Sequence, residues 1–228
     1  MIKHVLFVSL LSIFIVSGNT QELLFKSGTI DINEVENSNL TFVEEELFDD
    51  YGFRIMVFNQ LPSLEQRKQL EESGVELLEY LPKNAFFVSI KKGAIISALN
   101  GYGISKIIDV NPKYKTSKEL ANGNIPSWAV QDANNITVIV KYFESVDDTK
   151  VLLDLQQKNL VIKDSLISQN LVEVELSKKN LDALYALSYI QYVEAKQPPG
   201  EPENLPGRTL HRSNTLWTNA ENGCALYF

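Results

Sequence analysis

The strongest constraint on this chain is that its pattern of apolar residues and turn signals occurs twice. Phe53–Phe58 (FRIMVF) and Ile136–Val140 (ITVIV) read as strands whose starts lie 83 residues apart. Each precedes a helix start. Ser63 has Gln66 three residues on, the capping-box spacing, and Ser145 is its counterpart with Asp147 and Asp148 in the first turn. The helices are expected to stop at Gly74 and Asn159, residue types that tolerate a left-handed backbone. Second strands follow at Val75–Leu81 and Leu160–Leu166, then Asn84 and Asn170, 86 residues apart. Phe86, Val88 and Ile90 alternate as Val172, Val174 and Leu176 do. Ile95, Ala98, Leu99 and Tyr102 then form a helical stripe, repeated in spacing by Leu181, Leu184, Tyr185 and Ser188. Each copy closes with a strand, Ile104–Val110 and Ile190–Ala195.

Strand–helix–strand–strand–helix–strand is the split βαβ order. The fold class is therefore α+β: two tandem ferredoxin-like (βαββαβ) subdomains, 51–113 and 135–197, each an antiparallel sheet with two helices on one face. A copy of ~60 residues has a thin core, so the two are expected to pack together. Residues 19–50 read as a polar, acidic lead-in, and 114–134 as a linker with Pro126 and Trp128 as its anchor. Residues 198–228 read as a Pro-rich linker.

Residues 1–18 read as a secretory signal peptide. Lys3 precedes an apolar run, Val5–Val16, and small and polar residues follow at Ser17–Thr20. Cleavage after Gly18 is the first expectation and after Thr20 the second. An uncleaved anchor is the alternative, against which the run is shorter than the ~20 residues a membrane-spanning helix needs. The chain is expected to be secreted or periplasmic, with no membrane partner after cleavage.

Composition narrows function mainly by exclusion. Lys+Arg 21 against Asp+Glu 29 gives a net charge of −8. With no basic block the chain is not built to bind nucleic acid. One Cys, Cys224, excludes an intrachain disulfide framework and a Cys-based zinc site. After signal removal His211 is the only histidine, and no activated Ser or partner carboxylate stands near it in a predicted element. No catalytic, cofactor-binding or metal-ligating residue is assigned, and the chain as it stands is not expected to be an enzyme. Glu44–Glu46 with Asp49 and Asp50 lack the calcium-loop pattern and read as a solvated face. Asn39-Leu40-Thr41 and Asn135-Ile136-Thr137 match the glycosylation pattern by spacing alone. Glu173 and Glu175 alternate with the apolar positions of their strand, which gives the second sheet one wet face. They are the candidate docking residues, with a plain solvated sheet as the alternative.

Several stretches in order, GVELLEYLPKNAFFVSI at Gly74–Ile90, IPSWAV at Ile125–Val130, YIQYVEAKQPPGEPE at Tyr189–Glu203 and GRTLHRSN at Gly207–Asn214, carry a further likeness. The chain resembles the N-terminal part of secreted bacterial subtilisin-like serine proteases with a fervidolysin-type prodomain. The resemblance implies a prodomain that acts as intramolecular chaperone and inhibitor of a subtilisin-like catalytic domain joined in cis, its sheet packed on the protease. That family continues into Asp, His-Gly-Thr-His and Gly-Thr-Ser-Met motifs, none of which occurs here. The expectation is therefore a prodomain-bearing fragment or a frameshifted product, with no catalytic residue carried over. A free-standing extracellular protease inhibitor, or a partner-binding module of the same fold, is the alternative.

Overall fold

The computed structural model describes residues 22–99 and 101–198. Residues 1–18, read above as a signal peptide, lie outside the described residues, as do His211, Cys224 and the GRTLHRSN stretch. The chain begins with a hairpin, β1 (Glu22–Phe25) and β2 (Gly28–Asp31). The first repeat is β3 (Tyr51–Phe58), α1 (Leu64–Glu72), β4 (Val75–Leu81), β5 (Ala85–Lys91) and β6 (Ile104–Asp109). A connecting segment contains α2 (Lys118–Ala121). The second repeat is β7 (Asn135–Tyr142), α3 (Asp148–Gln157), β8 (Val161–Leu166), β9 (Leu171–Ser177), α4 (Leu181–Tyr185) and β10 (Ile190–Ala195). The sheet orders are β4-β5-β3-β6 and β8-β9-β7-β10, with every pairing antiparallel. Both are ferredoxin-like, because the third strand of each copy inserts between the first and the second.

Local signals place most boundaries. Ser63 caps α1 through its side chain, which accepts from the Gln66 N–H, and the Gln66 side chain returns the bond. Asn84, Asn159 and Asn170 are all left-handed, with φ of 57°, 61° and 56°. Two helical expectations are corrected. The cap of α3 is Asp147, not Ser145: its Oδ1 accepts from the Lys150 N–H at 3.0 Å, while the Ser145 Oγ is buried without a partner. A carboxylate is the stronger acceptor at a helix N-terminus. The stripe from Ile95 to Tyr102 forms only a 3-10 turn, Ile96–Leu99, with Leu99 buried and Ile95 exposed. Gly93, Gly101 and Gly103 all take positive φ, so left-handed backbone stands at both ends of the stripe and turns the chain out of it. The first sheet therefore has one helix and a turn on that face.

The two sheets differ in what covers them. On the first, Met56, Phe58, Phe86, Val88 and Ile90 pack with Leu70 of α1 and with Leu99. Its opposite face, which carries Phe53, Ile55, Val57, Phe87 and Ile108, is covered as well. Leu23 and Ile32 of the N-terminal segment, Leu120 of the connecting segment and Phe143 of the second repeat share its core. Phe25 stacks on Tyr114 at 5.2 Å and meets Phe87 edge-on. Phe143 stacks on Phe53 at 4.2 Å and meets Phe87 at 5.4 Å. Residues 22–50, read above as a polar, acidic lead-in, are thus part of the fold through their few apolar residues. Their acidic run is spent on ion pairs: Glu46 with Arg54, Glu44 with Lys92, and Asp49 with Lys150 at the start of α3. Gly52 is needed here, because a Cβ would stand 2.3 Å from the Phe42 ring. Arg54 lies over that ring at 4.1 Å and also bonds Asp109.

The connecting segment closes the free edge of β10. Thr116 forms a parallel bridge with Val193, and the Val193 N–H donates to the Lys115 carbonyl at 2.6 Å. Lys115 is 2% exposed, with its Nζ donating to the Leu187 carbonyl. Burial without a carboxylate partner pulls its pKa from the ordinary 10.5 down to about 7.

Two outcomes are expected. Phe143→Ala removes the ring that joins the repeats and should cost about 3–5 kcal/mol, read as a lowered urea midpoint. Because Lys115 is depressed, the unfolded chain holds more protons between pH 7 and 10.5, so this residue makes stability rise with pH across that window. Its burial penalty is complete below about pH 7. Lys115→Met should therefore raise stability at pH 7 by roughly 1–3 kcal/mol and flatten the rise relative to the parent chain, read by urea melts at several pH values.

Candidate functional site

The helix face of the second sheet is fully used. Ile136, Val138, Val140, Val172, Val174 and Leu176 pack with Val151 and Leu155 of α3 and Leu184 of α4. β9 alternates strictly between buried and half-buried positions. The half-buried positions and their partners make up the opposite face. The register sets Glu175 beside Thr137 and Val161, Glu173 beside Ile139 and Asp164, and Leu171 beside Lys141 and Leu166. Tyr192 and Glu194 continue it on β10, opposite Lys141 and Ile139.

Glu173 and Glu175 lie on this face as the alternation predicts, and each is ion-paired within it. Glu173 accepts from the Lys196 Nζ at 2.6 Å, and Glu175 meets Lys163 at 2.7 Å. Their side chains are 18% and 21% exposed. A third pair crosses between the repeats. Glu79 of β4 accepts from Lys141 at 2.6 Å and from the Gln191 amide at 2.8 Å. Burial pushes the Glu79 carboxyl up, but those two donors outweigh it, and its pKa lies below the usual carboxylate value. On the β10 side, Lys26 of the hairpin loop pairs with Glu194 at 2.8 Å and lies over the Tyr192 ring. The Trp128 indole N–H donates to the Lys196 carbonyl at 2.9 Å. Cover therefore reaches this face from its β10 side, while toward β8 it is open. Val161 and Leu166 there are 53% and 49% exposed.

This face can bind by shape and by salt-bridge exchange. It is a shallow sheet with apolar residues at its open edge and carboxylates that already have cationic partners. Among the described residues no group of His, Cys, Asp and Glu is arranged to hold a metal ion. A larger groove, of about 1010 Å³, runs beside Glu34–Asn39 and Asp109. Arg54 beside it is committed to Glu46, Asp109 and the Phe53 carbonyl. The second sequon is occupied by structure: Asn135 starts β7 and Thr137 is buried, whereas Asn39 and Thr41 of the first are exposed.

One signal for the difference between the sheets lay in the repeat itself. Where the second copy has Glu173 and Glu175, the first has Phe87 and Ser89. An aromatic residue at the outward position of a central strand needs a cover, and the N-terminal hairpin and Phe143 provide it.

A family model for a domain of unknown function, DUF8729, matches residues 24–111. That span runs from the hairpin through the end of the first repeat, segments that share one core. No curated protein and no solved structure matches the chain. No described helix is long and apolar enough to cross a membrane.

The ion pairs on the open sheet face are partly solvated, so they should contribute little to folding. Lys163→Ala and Lys196→Ala are each expected to change stability by less than ~1 kcal/mol in urea denaturation, with unchanged circular dichroism.

Proposed function

We propose that this chain is the prodomain region of a secreted subtilisin-like serine protease, which assists folding of the catalytic domain and inhibits it. The observation that carries the reading is the asymmetry of the two sheets. One ferredoxin-like sheet is covered on both faces by its own chain, and the other keeps one face partly open for a partner. Glu173, Glu175, Ile139, Val161 and Leu166 form the docking surface. A partner that binds the native form better than the unfolded one lowers the free energy of folding by mass action, and a covalent tether raises its effective concentration.

The test supplies the whole chain in trans to its cognate subtilisin-like catalytic domain. The second repeat alone is not used, because Phe143 and Tyr189 belong to a core shared with the first. Inhibition, or faster recovery of activity on refolding, is expected at micromolar concentration. Glu173→Lys with Glu175→Lys sets like charges beside Lys196 and Lys163 and should weaken inhibition at least ~10-fold, about 1.4 kcal/mol. Circular dichroism of the variant should match the parent chain. A parent chain that neither inhibits nor assists folding would overturn the proposal in favour of a binding module with another partner.

A further inference from the structure

Four strands end the two large sheets, and two of them are hydrogen-bonded to another segment on their outer side. β6 receives the Ser38 N–H on its Ile107 carbonyl and gives its Ile107 N–H to Asn37, both at 2.8 Å. β10 takes up Thr116 in a parallel bridge. β4 has no outer backbone partner among the described residues, but its Leu78 packs on the shared core and its Glu79 is held by Lys141 and Gln191 of the second repeat. β8 differs. Among the described residues no backbone group of another segment is hydrogen-bonded along its outer edge. The Ser165 N–H is taken up by the carboxylate of its neighbour Asp164, at 2.8 Å. Val161, Leu166 and Ile167 are among the exposed large apolar residues. An open edge of this kind is a template for another strand.

We propose that β8 recognises a second copy of this chain. The two β8 strands pair antiparallel about a two-fold axis between Lys163 and Asp164, and the second sheets join into one. The sequence of the strand, Val-Ile-Lys-Asp-Ser-Leu, is complementary to itself in this one register. Lys163 faces Asp164 of the other copy twice at the centre. Val161 faces Leu166, and Ile162 faces Ser165. Each pair also shares a face. The pairing with β9 puts Val161, Asp164 and Leu166 on the open face and Ile162 and Ser165 on the helix face. Lys163, at the bulge between Ile162 and Asp164, reaches the open face through Glu175. A lysine in mid-edge ordinarily discourages strand addition, and here it selects the register. A shift of one residue either way sets Lys163 against Lys163, or Asp164 against Asp164, and like charges directly opposite are unfavourable. A six-residue strand pair buries less than the ~1,200 Å² typical of tight complexes, so the dimer is a weak, reversible one. This inference is independent of the protease reading.

Sedimentation of the chain from ~1 µM to ~1 mM should show the average mass climbing toward twice the monomer value. Asp164→Lys and Lys163→Glu should each remain monomeric alone, because the centre then carries only one sign of charge. Mixed in equal amounts they should associate, since both central pairs become attractive again. Leu166→Lys, on an exposed side chain, should weaken dimerisation at least tenfold with unchanged circular dichroism, which keeps the test independent of any folding defect at the bulge. A chain that stays monomeric throughout, single variants that dimerise as well as the parent, or a mixture that fails to associate would each overturn the proposal.

Discussion

The structure depends on the cover over the helix-free face of the first sheet. Phe53, Ile55, Val57 and Phe87 form an apolar surface on a sheet whose other face already holds α1. Left in water, that surface would make the first repeat an exposed apolar patch rather than a domain. Phe25, Leu23 and Ile32 arrive from one side of the sequence, Leu120 and Tyr114 from the linker, and Phe143 from the second repeat. Because these segments are far apart in sequence, covering one sheet fixes the positions of all of them. Aromatic pairs add orientation to the burial, each worth about 0.5–1.5 kcal/mol beyond area.

The same constraint makes the two copies unequal in use. Once the first sheet has been covered by its own chain, only the second can present a face outward. Its charged positions are neutralised pair by pair, Glu173 with Lys196 and Glu175 with Lys163, so the face is polar without a strong field. Partly solvated ion pairs of this kind hold little free energy. Lys115 marks the opposite extreme. The chain places a lysine in a buried site between the linker and the second repeat, where its polar partner among the described residues is the Leu187 carbonyl. Burial of that ammonium costs stability at neutral pH.

Much of the fold is legible in the sequence, because repetition and period are local properties. The strand order, the capping box at Ser63, and the left-handed Asn84, Asn159 and Asn170 all follow from neighbours a few residues away. The alternation that puts Glu173 and Glu175 on one face is equally local. The failures are of a different kind. The stripe at Ile95–Tyr102 has helical spacing, but glycines with positive φ break it. Ser145 and Asp147 compete for one cap, and only the path of the chain out of β7 decides between them.

Two ferredoxin-like repeats, and the face on which the candidate carboxylates stand, can thus be read from the order of residues. Which sheet is covered, which edge is left open and which lysine answers each carboxylate emerge only when the segments pack. The physical reason is range. A two-residue period is written in adjacent side chains, whereas a cover made of Leu23, Leu120 and Phe143 against Phe53 exists only once loops of very different lengths have closed. The acidic run Glu44–Asp50 shows the same limit. As a string it is indistinguishable from a solvated surface, and in the fold three of its members each hold a different cation, Arg54, Lys92 or Lys150.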